Sequence, residues 1–189
     1  MLPRPRGYLV PAGWPQVEEV VAGHGLRFAR LAEAVELEVE TIRVSEPVLA
    51  AAPYQGVVAV RQFTVERQTE RRRVGRGSLW IPADQPDFAI AVQLLEPEAP
   101  DSLLRWGALM TVFERKEYIG LDVLEKIARG LLADETIRAE WQAALADEAF
   151  AGDGRRRFEW WYRRTPYWDE QVGLLPAYRV MDRVDLPLR

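Results

Sequence analysis

Three carboxylates lie close together in one short stretch, and paired carboxylates can hold a cation or exchange protons with a substrate. Glu96, Glu98 and Asp101, which we call the acidic corner, occupy a segment in which two prolines forbid a continuous helix. Their spacing is not that of a calcium-binding loop, and a solvated, capped turn accounts for the same residues. If these groups turn inward, they should pair with an arginine, because an unpaired buried carboxylate is very costly.

The chain contains one histidine and no cysteine, which limits the catalysis that it can perform. His24 lies between two glycines at the predicted end of a helix, where a protonated imidazole suits the helix dipole. A catalytic zinc ion needs about three protein ligands, normally histidine and carboxylate. Ser78 and Ser102 have no histidine near them in the sequence, so no Ser–His–Asp triad can be proposed. We therefore predict no catalytic residue, no metal ligand and no cofactor in this chain.

Aromatic and basic side chains are concentrated near the carboxyl end, and tryptophan, tyrosine and arginine are typical of interface hot spots. Phe158 and Tyr162, four residues apart, also fit a helix that packs on a core. The arginine runs at 71–73 and 155–157 could bind a carboxylate or phosphate, although surface pairing with acidic residues explains them too. The candidate interface or ligand-binding residues are the acidic corner together with Trp106, Trp160, Trp161, Arg164, Tyr167 and Trp168.

Composition narrows the class of protein. The chain has 189 residues, of which 48% are hydrophobic, and this suits a globular domain with a sizeable core. The formal net charge of −4 argues against a nucleic-acid partner. No apolar run reaches the length of a membrane span, and the amino end does not have the pattern of a secretory signal. Residues 1–6, rich in proline and arginine, resemble an interdomain linker.

Strand-like patterns fill the first half of the sequence and helical patterns the second, which predicts an α+β fold. We expect a mixed sheet from the strand-rich part 7–82, packed against the helix-rich part 84–170, with a last strand and tail at 171–189. The strand–helix–strand pattern of 8–31 predicts a small parallel βαβ crossover unit. The whole chain, 1–189, is predicted to form a single domain.

Two core helices should flank the acidic corner. Asp84 is the expected amino-terminal cap of the first helix, and Asp101 that of the second. Helical spacing predicts that the second helix buries one stripe, formed by Leu103, Trp106, Met110 and Phe113.

Local patterns elsewhere give five further predictions. Alternating apolar and glutamate residues from Val35 to Glu40 indicate a half-exposed strand, and a change of parity near Ile42 suggests a bulge. The very polar segment 67–77 is expected to be the solvated end of a hairpin. Gly25 fits a left-handed residue that ends a helix, and Asp134 is expected to cap a later one.

The segment Leu94–Trp106, followed by Lys116-Glu117-Tyr118, resembles a stretch that follows the catalytic domain in a bacterial branch of the zinc carboxypeptidase family, the carboxypeptidase A-like metallopeptidases. Shorter pieces agree in the same order, so the resemblance covers nearly the whole chain. These pieces are Tyr8–Pro11, His24-Gly25, Val39–Thr41, Tyr54–Gly56, Pro82–Gln85 and Arg164–Trp168.

The resemblance implies a carboxy-terminal region of a secreted or periplasmic peptidase, with zinc only in a linked catalytic domain. That family binds zinc through a His-x-x-Glu pair and a later histidine, whereas here Arg27 stands three residues after His24. No catalytic residue of the family can therefore be placed in this chain.

Three interpretations of function stay open. In the first, the chain is a non-catalytic domain that docks on a metallopeptidase domain in cis, supports it and can shape the access of a peptide substrate. In the second, it is a self-standing domain that binds a peptide or small molecule in a pocket lined by Trp14, Arg27 and the acidic corner. In the third, it is an enzyme that uses only carboxylates, such as a glycosidase.

Overall fold

A computed structural model describes residues 3–115 and 119–189 of the chain. The chain divides into two compact units: a sheet unit, Met1–Glu114 with Gln171–Arg189, and a helical unit, Arg115–Glu170. Strands and helices together confirm the predicted α+β class. That the whole chain forms one domain stays a prediction, and Lys116-Glu117-Tyr118 of the family resemblance lie outside the described residues.

Six strands form one sheet within the described residues, in the order β2-β5-β1-β6-β3-β4. In chain order the strands are β1 Gly7–Val10, β2 Ala29–Arg30, β3 Val35–Leu49, β4 Val60–Val74, β5 Leu79–Pro82 and β6 Tyr178–Val180. Neighbouring strands pair antiparallel. Helix α1, Pro15–Gly23, does connect β1 to β2, but β5 lies between these two strands, so they do not pair as the predicted parallel crossover.

The longest feature of the sheet unit is the β3–β4 hairpin, in which both strands have 15 residues. The segment 67–77, predicted to be a solvated hairpin end, instead continues β4 as far as Val74. Two of its arginines lie opposite glutamates of β3, with Arg73 opposite Glu36 and Arg71 opposite Glu38. Opposite charges across an antiparallel pair stabilise a strand that looks too polar when it is read alone.

The sheet buries side chains on both faces, and this explains the change of parity in β3. Val39 belongs to one apolar cluster, whereas Ile42 and Val44 belong to the other. The strand register is unbroken from Val35 to Ser45, so the bulge predicted near Ile42 is absent there. The irregularity lies between Ser45 and Leu49, where proline interrupts the ladder.

Helices α1 and α2, Phe88–Leu95, contribute to the larger apolar cluster. Asp87, and not Asp84, precedes α2, and it makes no capping bond with its side chain. The predicted second helix is replaced by turns over 101–109 and a short 3₁₀ helix, Met110–Phe113. Gly107 causes the interruption, because it has a positive φ of 75° that ordinary helical residues do not adopt. Gly25, with a φ of 69°, is left-handed as predicted.

The helical unit contains α3 Leu121–Leu131, α4 Glu135–Leu145, α5 Glu148–Gly152 and α6 Gly154–Tyr162. Asp134 caps α4 as predicted, since its carboxylate accepts hydrogen bonds from two free amides of the first turn. The aromatic residues of α4 and α6 meet in one apolar cluster. Within the part of the chain that the structure describes, no helix is both long and apolar enough to cross a lipid bilayer.

Candidate functional site

Glu96 of the acidic corner turns inward and meets a buried arginine. Arg179 of β6 is only 1% exposed, and its Nε lies 2.9 Å from Glu96 Oε1. The same guanidinium pairs with Glu40 of β3 and donates a hydrogen bond to the carbonyl of Pro3. Tyr8 of β1 donates to Glu96 Oε1 over 2.7 Å. Glu96 is thus paired with an arginine, as a carboxylate that turns inward requires.

A second arginine completes this network. Arg67 of β4 lies 3.4 Å from Glu96 through Nη2, and both of its terminal nitrogens bond to Glu98. The hydrogen bonds from Arg67 hold the pKa of Glu98 below its usual value. Burial and the Glu96 carboxylate raise the pKa of Tyr8 far above that of a free phenol.

These interactions decide what the network can do chemically. Glu96 and Glu98 both form ion pairs with arginine. Because the hydrogen bonds from Arg67 lower the pKa of Glu98, that carboxylate is a poor proton acceptor. Tyr8 keeps its proton, since its pKa is raised. Asp101 is exposed and makes no ion pair among the described residues. The arrangement therefore anchors four neighbouring strands to the segment after α2, and does not expose an acid–base pair.

A groove lies beside this network, where the turn of the β3–β4 hairpin meets the segment after the acidic corner. It has a volume of about 680 Å³ and is lined by Tyr54, Arg61, Glu98, Pro100, Arg105 and Trp106, among others. Trp106 was predicted to be buried in a helix but is 39% exposed, because the turn at Gly107 ends the helical spacing. The structure thus places two predicted site residues, Glu98 and Trp106, in one groove.

Sequence reasoning missed the other residues of this groove. Tyr54 is 63% exposed at the hairpin turn, and Arg61 begins the exposed edge of β4. The sequence signal was Tyr54, an aromatic residue two positions before Gly56, which does not by itself indicate binding. Arg27 lines a different groove from Glu98, so the pocket expected for a self-standing binding domain is not assembled from the predicted residues.

The remaining predicted site residues belong to the helical unit. The rings of Trp160 and Trp161 each lie 4.9 Å from that of Trp141, and all three pack in the apolar cluster of this unit. Arg164 covers the face of Trp160 at 3.5 Å and pairs with Glu140 over 2.9 Å. Most of this aromatic group is therefore core.

Side chains at the periphery of that aromatic cluster are more exposed to solvent. The ring of Trp168 lies edge-on to that of Tyr162 at 5.3 Å, whereas Tyr167 is 48% exposed. A second groove of about 420 Å³ borders the cluster and is lined by Leu121, Leu124, Leu132, Trp141, Phe158 and Trp161, among others. Leu121 is 71% exposed at the start of α3.

The residues described do not fit a zinc ion. His24 is exposed, and its Nδ1 lies 2.8 Å from the carbonyl oxygen of Val20. Among the described residues, no group of three or more His, Cys, Asp or Glu side chains is arranged to hold a metal. Zinc coordination normally takes three or four such ligands.

Three fungal proteins are similar to part of this chain. Carboxypeptidase 2 of Trichophyton tonsurans is 32% identical over 108 residues, which is 56% of this chain and 20% of the relative. The proteins of the same name from Trichophyton equinum and Trichophyton rubrum show the same identity and coverage. The chain thus spans about a fifth of the length of the curated relatives that it matches. No protein family and no solved structure matches it.

This similarity supports a region associated with carboxypeptidases. The relatives are fungal, so the bacterial branch that the sequence resemblance implied is not supported. Whether the linked enzyme uses zinc, and whether the protein is secreted, stay predictions.

Proposed function

We propose that this chain is a non-catalytic accessory region of a zinc carboxypeptidase-like protein, which docks on the catalytic domain in cis. The observation that carries this proposal is the similarity to a limited part, about a fifth, of several carboxypeptidases. A match to so small a part fits a region that accompanies the enzyme. The buried ion pairs of the acidic corner agree, because they leave Glu96 and Glu98 committed to arginines.

The helical unit offers the surface for docking. Leu121 and Val123 are exposed at the start of α3, at 71% and 40%. Leu121 also lines the groove beside the aromatic cluster. Exposed apolar residues that border a groove are typical of a protein–protein contact. Tyr167 provides a further exposed aromatic ring in this unit, and the catalytic domain is the partner that we expect to cover this surface.

Association with a catalytic domain tests this proposal. The purified chain would be mixed with the part of Trichophyton tonsurans carboxypeptidase 2 outside the matched region, and binding would be measured by calorimetry. We expect a complex that Leu121→Ser weakens about tenfold or more, since burying a leucine contributes about 1.5–3 kcal/mol. Lys126→Ser is the matched control, because Lys126 lies on the same helix and forms no ion pair among the described residues.

Two results would contradict the proposal. The first is the absence of any association between the two proteins, or equal binding by the Leu121 and Lys126 variants. The second is robust hydrolysis of carboxyl-terminal residues by the pure chain with added zinc, abolished by chelation.

The alternative is a self-standing domain that binds a peptide or small molecule. The groove lined by Tyr54 and Trp106 favours this alternative, since its volume of about 680 Å³ lies in the range of ligand sites. Binding of a ligand without any association with a catalytic domain would select it. The two functions are compatible if the groove serves the substrate of a linked enzyme.

A further inference from the structure

We infer that the groove at the turn of the β3–β4 hairpin binds the carboxyl-terminal end of a peptide, with Arg61 and Arg105 facing the carboxylate and Tyr54 and Trp106 facing the last side chain. This inference rests on the proposed function in one respect: a carboxypeptidase substrate is the peptide whose end carries a free carboxylate.

The two walls of the groove are fastened to each other by hydrogen bonds. The amide of Val60 donates to the carbonyl of Arg105 over 2.9 Å, and Arg105 Nη1 donates to the carbonyl of Arg61 over 3.1 Å. The amide of Arg105 also donates to the hydroxyl of Ser102 over 3.2 Å. Because the walls are already held together, binding would not have to order them, and a preformed site keeps more of its binding free energy.

Close packing at Gly107 keeps the same two segments in contact. A Cβ placed on Gly107 would lie 3.0 Å from the carbonyl oxygen of Val58. Only glycine allows the two backbones to approach so closely with a positive φ. Trp106 therefore lies at the edge of the groove, and its side chain remains exposed.

The groove has a net positive charge once the pairing of its glutamate is counted. Glu98 is the acidic residue of the lining, and Arg67, outside the groove, already binds both of its oxygens. Arg61 is exposed and forms no ion pair among the described residues. Arg105 lies over the ring of Phe63 at 4.9 Å, without a carboxylate partner in the described part of the chain.

Both arginines present guanidinium groups at this groove. The hydrogen bond from Arg105 Nη1 to the carbonyl of Arg61 holds the Arg105 side chain there, and Arg61 is exposed. Two guanidinium groups at one groove suit a planar carboxylate, which they can bind with paired hydrogen bonds.

The apolar lining selects a particular kind of carboxylate. Tyr54 and Trp106 expose aromatic surface beside the arginines, together with Val57, Ala59 and Pro100. A carboxylate that carries a large apolar side chain next to it satisfies both features, and the last residue of a peptide has this form. A free phosphate or an internal aspartate satisfies only the charge.

Calorimetry with the full chain tests the inference directly. The probe is an N-acetylated pentapeptide of four alanines and a final phenylalanine, compared with the same peptide as its carboxyl-terminal amide. We expect the free acid to bind about tenfold or more tightly than the amide, because charge-assisted hydrogen bonds are about twice as strong as neutral ones. Arg61→Gln should remove most of this difference.

Arg73→Gln is the matched control for Arg61→Gln. Arg73 lies on the same strand, at an even spacing from Arg61, and is likewise exposed. Twelve residues of β-strand place it about 40 Å from Arg61. This is several Debye lengths, so salt screens its charge from a ligand bound at Arg61. It should change affinity less than twofold if binding is local. Trp106→Ala should weaken the binding of both peptides equally. If the Trp106 variant does not fold, the comparison of Arg61→Gln with Arg73→Gln is sufficient to test the inference.

Several results would overturn the inference: binding of neither peptide at millimolar concentration, equal binding of acid and amide, equal losses in the Arg61 and Arg73 variants, or full displacement by inorganic phosphate. None of these results depends on docking to a catalytic domain. If the peptide does not bind but the chain still associates with the catalytic domain, the proposed accessory function stands. If the peptide binds but the chain does not associate, the groove remains a peptide site and the docking function is refuted.

Discussion

Replacing Arg179 by methionine should destabilise the sheet unit strongly, because it leaves carboxylates buried without their cation. Arg179 is 1% exposed, and its partners Glu96 and Glu40 have side chains that are 10% and 20% exposed. Removing one partner of a buried ion pair typically costs about 3–5 kcal/mol. Tyr8 still donates to Glu96, and Arg67 remains 3.4 Å away. We therefore expect a loss near the lower bound, about 3 kcal/mol.

The measurement should report the sheet unit alone, since a chain with two compact units need not unfold in a single transition. Amide hydrogen exchange of β1 and β6 does this, because their amides are protected by pairing with each other. A loss of about 3 kcal/mol corresponds to exchange about 100-fold faster, at roughly 1.4 kcal/mol for each factor of ten. Exchange of the helical unit serves as an internal reference.

A matched but exposed arginine–glutamate pair shows how much of the lost stability comes from burial of the pair and how much from loss of the charge alone. Arg71 lies 2.7 Å from Glu36, and their side chains are 74% and 59% exposed. Arg71→Met should lose less than about 1 kcal/mol, as is usual for surface pairs. The double variant Arg179→Met with Glu96→Gln should be more stable than Arg179→Met alone, because it removes the stranded charge. Equal losses in the Arg179 and Arg71 variants would refute the reasoning.

Two other changes test neighbouring parts of the same unit. The folded pKa of Glu98 is depressed by Arg67, so its stabilising contribution is present above the unfolded value and is lost as pH falls through the folded value, below the usual 4.5. Glu98→Gln should therefore flatten the dependence of stability on pH in that window, measured by urea unfolding, and an unchanged slope would contradict the assignment. Gly107→Ala should destabilise by about 1–3 kcal/mol, since φ is 75° and the new methyl carbon would lie 3.0 Å from the carbonyl oxygen of Val58; thermal unfolding checks this, and an unchanged melting temperature would exclude the strain.

Local signals in the sequence predicted local structure well. The alternation from Val35 to Glu40 lies in a strand, and Asp134 caps the helix that follows it. The rule that a buried carboxylate needs an arginine also held for Glu96. These predictions succeed because each depends on residues a few positions apart, or on a general penalty that any fold must satisfy.

The site residues depended on partners far along the chain, which no pattern in one sequence identifies. Arg179 meets Glu96 from 83 positions away, and Arg67 meets Glu98 across 31. The strand at 67–74 looked like a loop because its stabilising glutamates belong to β3. Trp106 was assigned to the core because helical spacing was assumed to continue through Gly107. In each case tertiary pairing overrode the local pattern.

The buried charges also specify how the sheet is assembled. Tyr8, Arg179 and Glu40 lie directly opposite one another on three neighbouring strands, β1, β6 and β3, so their side chains share one face. A slip of β6 by one residue would turn Arg179 to the other face and leave Glu96 without its nearest cation. β6 has only three residues, too few for apolar packing alone to fix its position.

The same row of charges determines where the candidate binding groove forms. Glu96, held by Arg179, fixes the start of the segment that runs through Glu98 and Pro100 to Trp106. Arg67 fixes Glu98 to β4, the strand that also carries Arg61 at the opposite wall. The acidic corner, which first suggested catalysis, thus acts by position: Arg179 and Arg67 pair with Glu96 and Glu98, and in the inferred site Arg61 and Arg105 are left to face an incoming carboxylate.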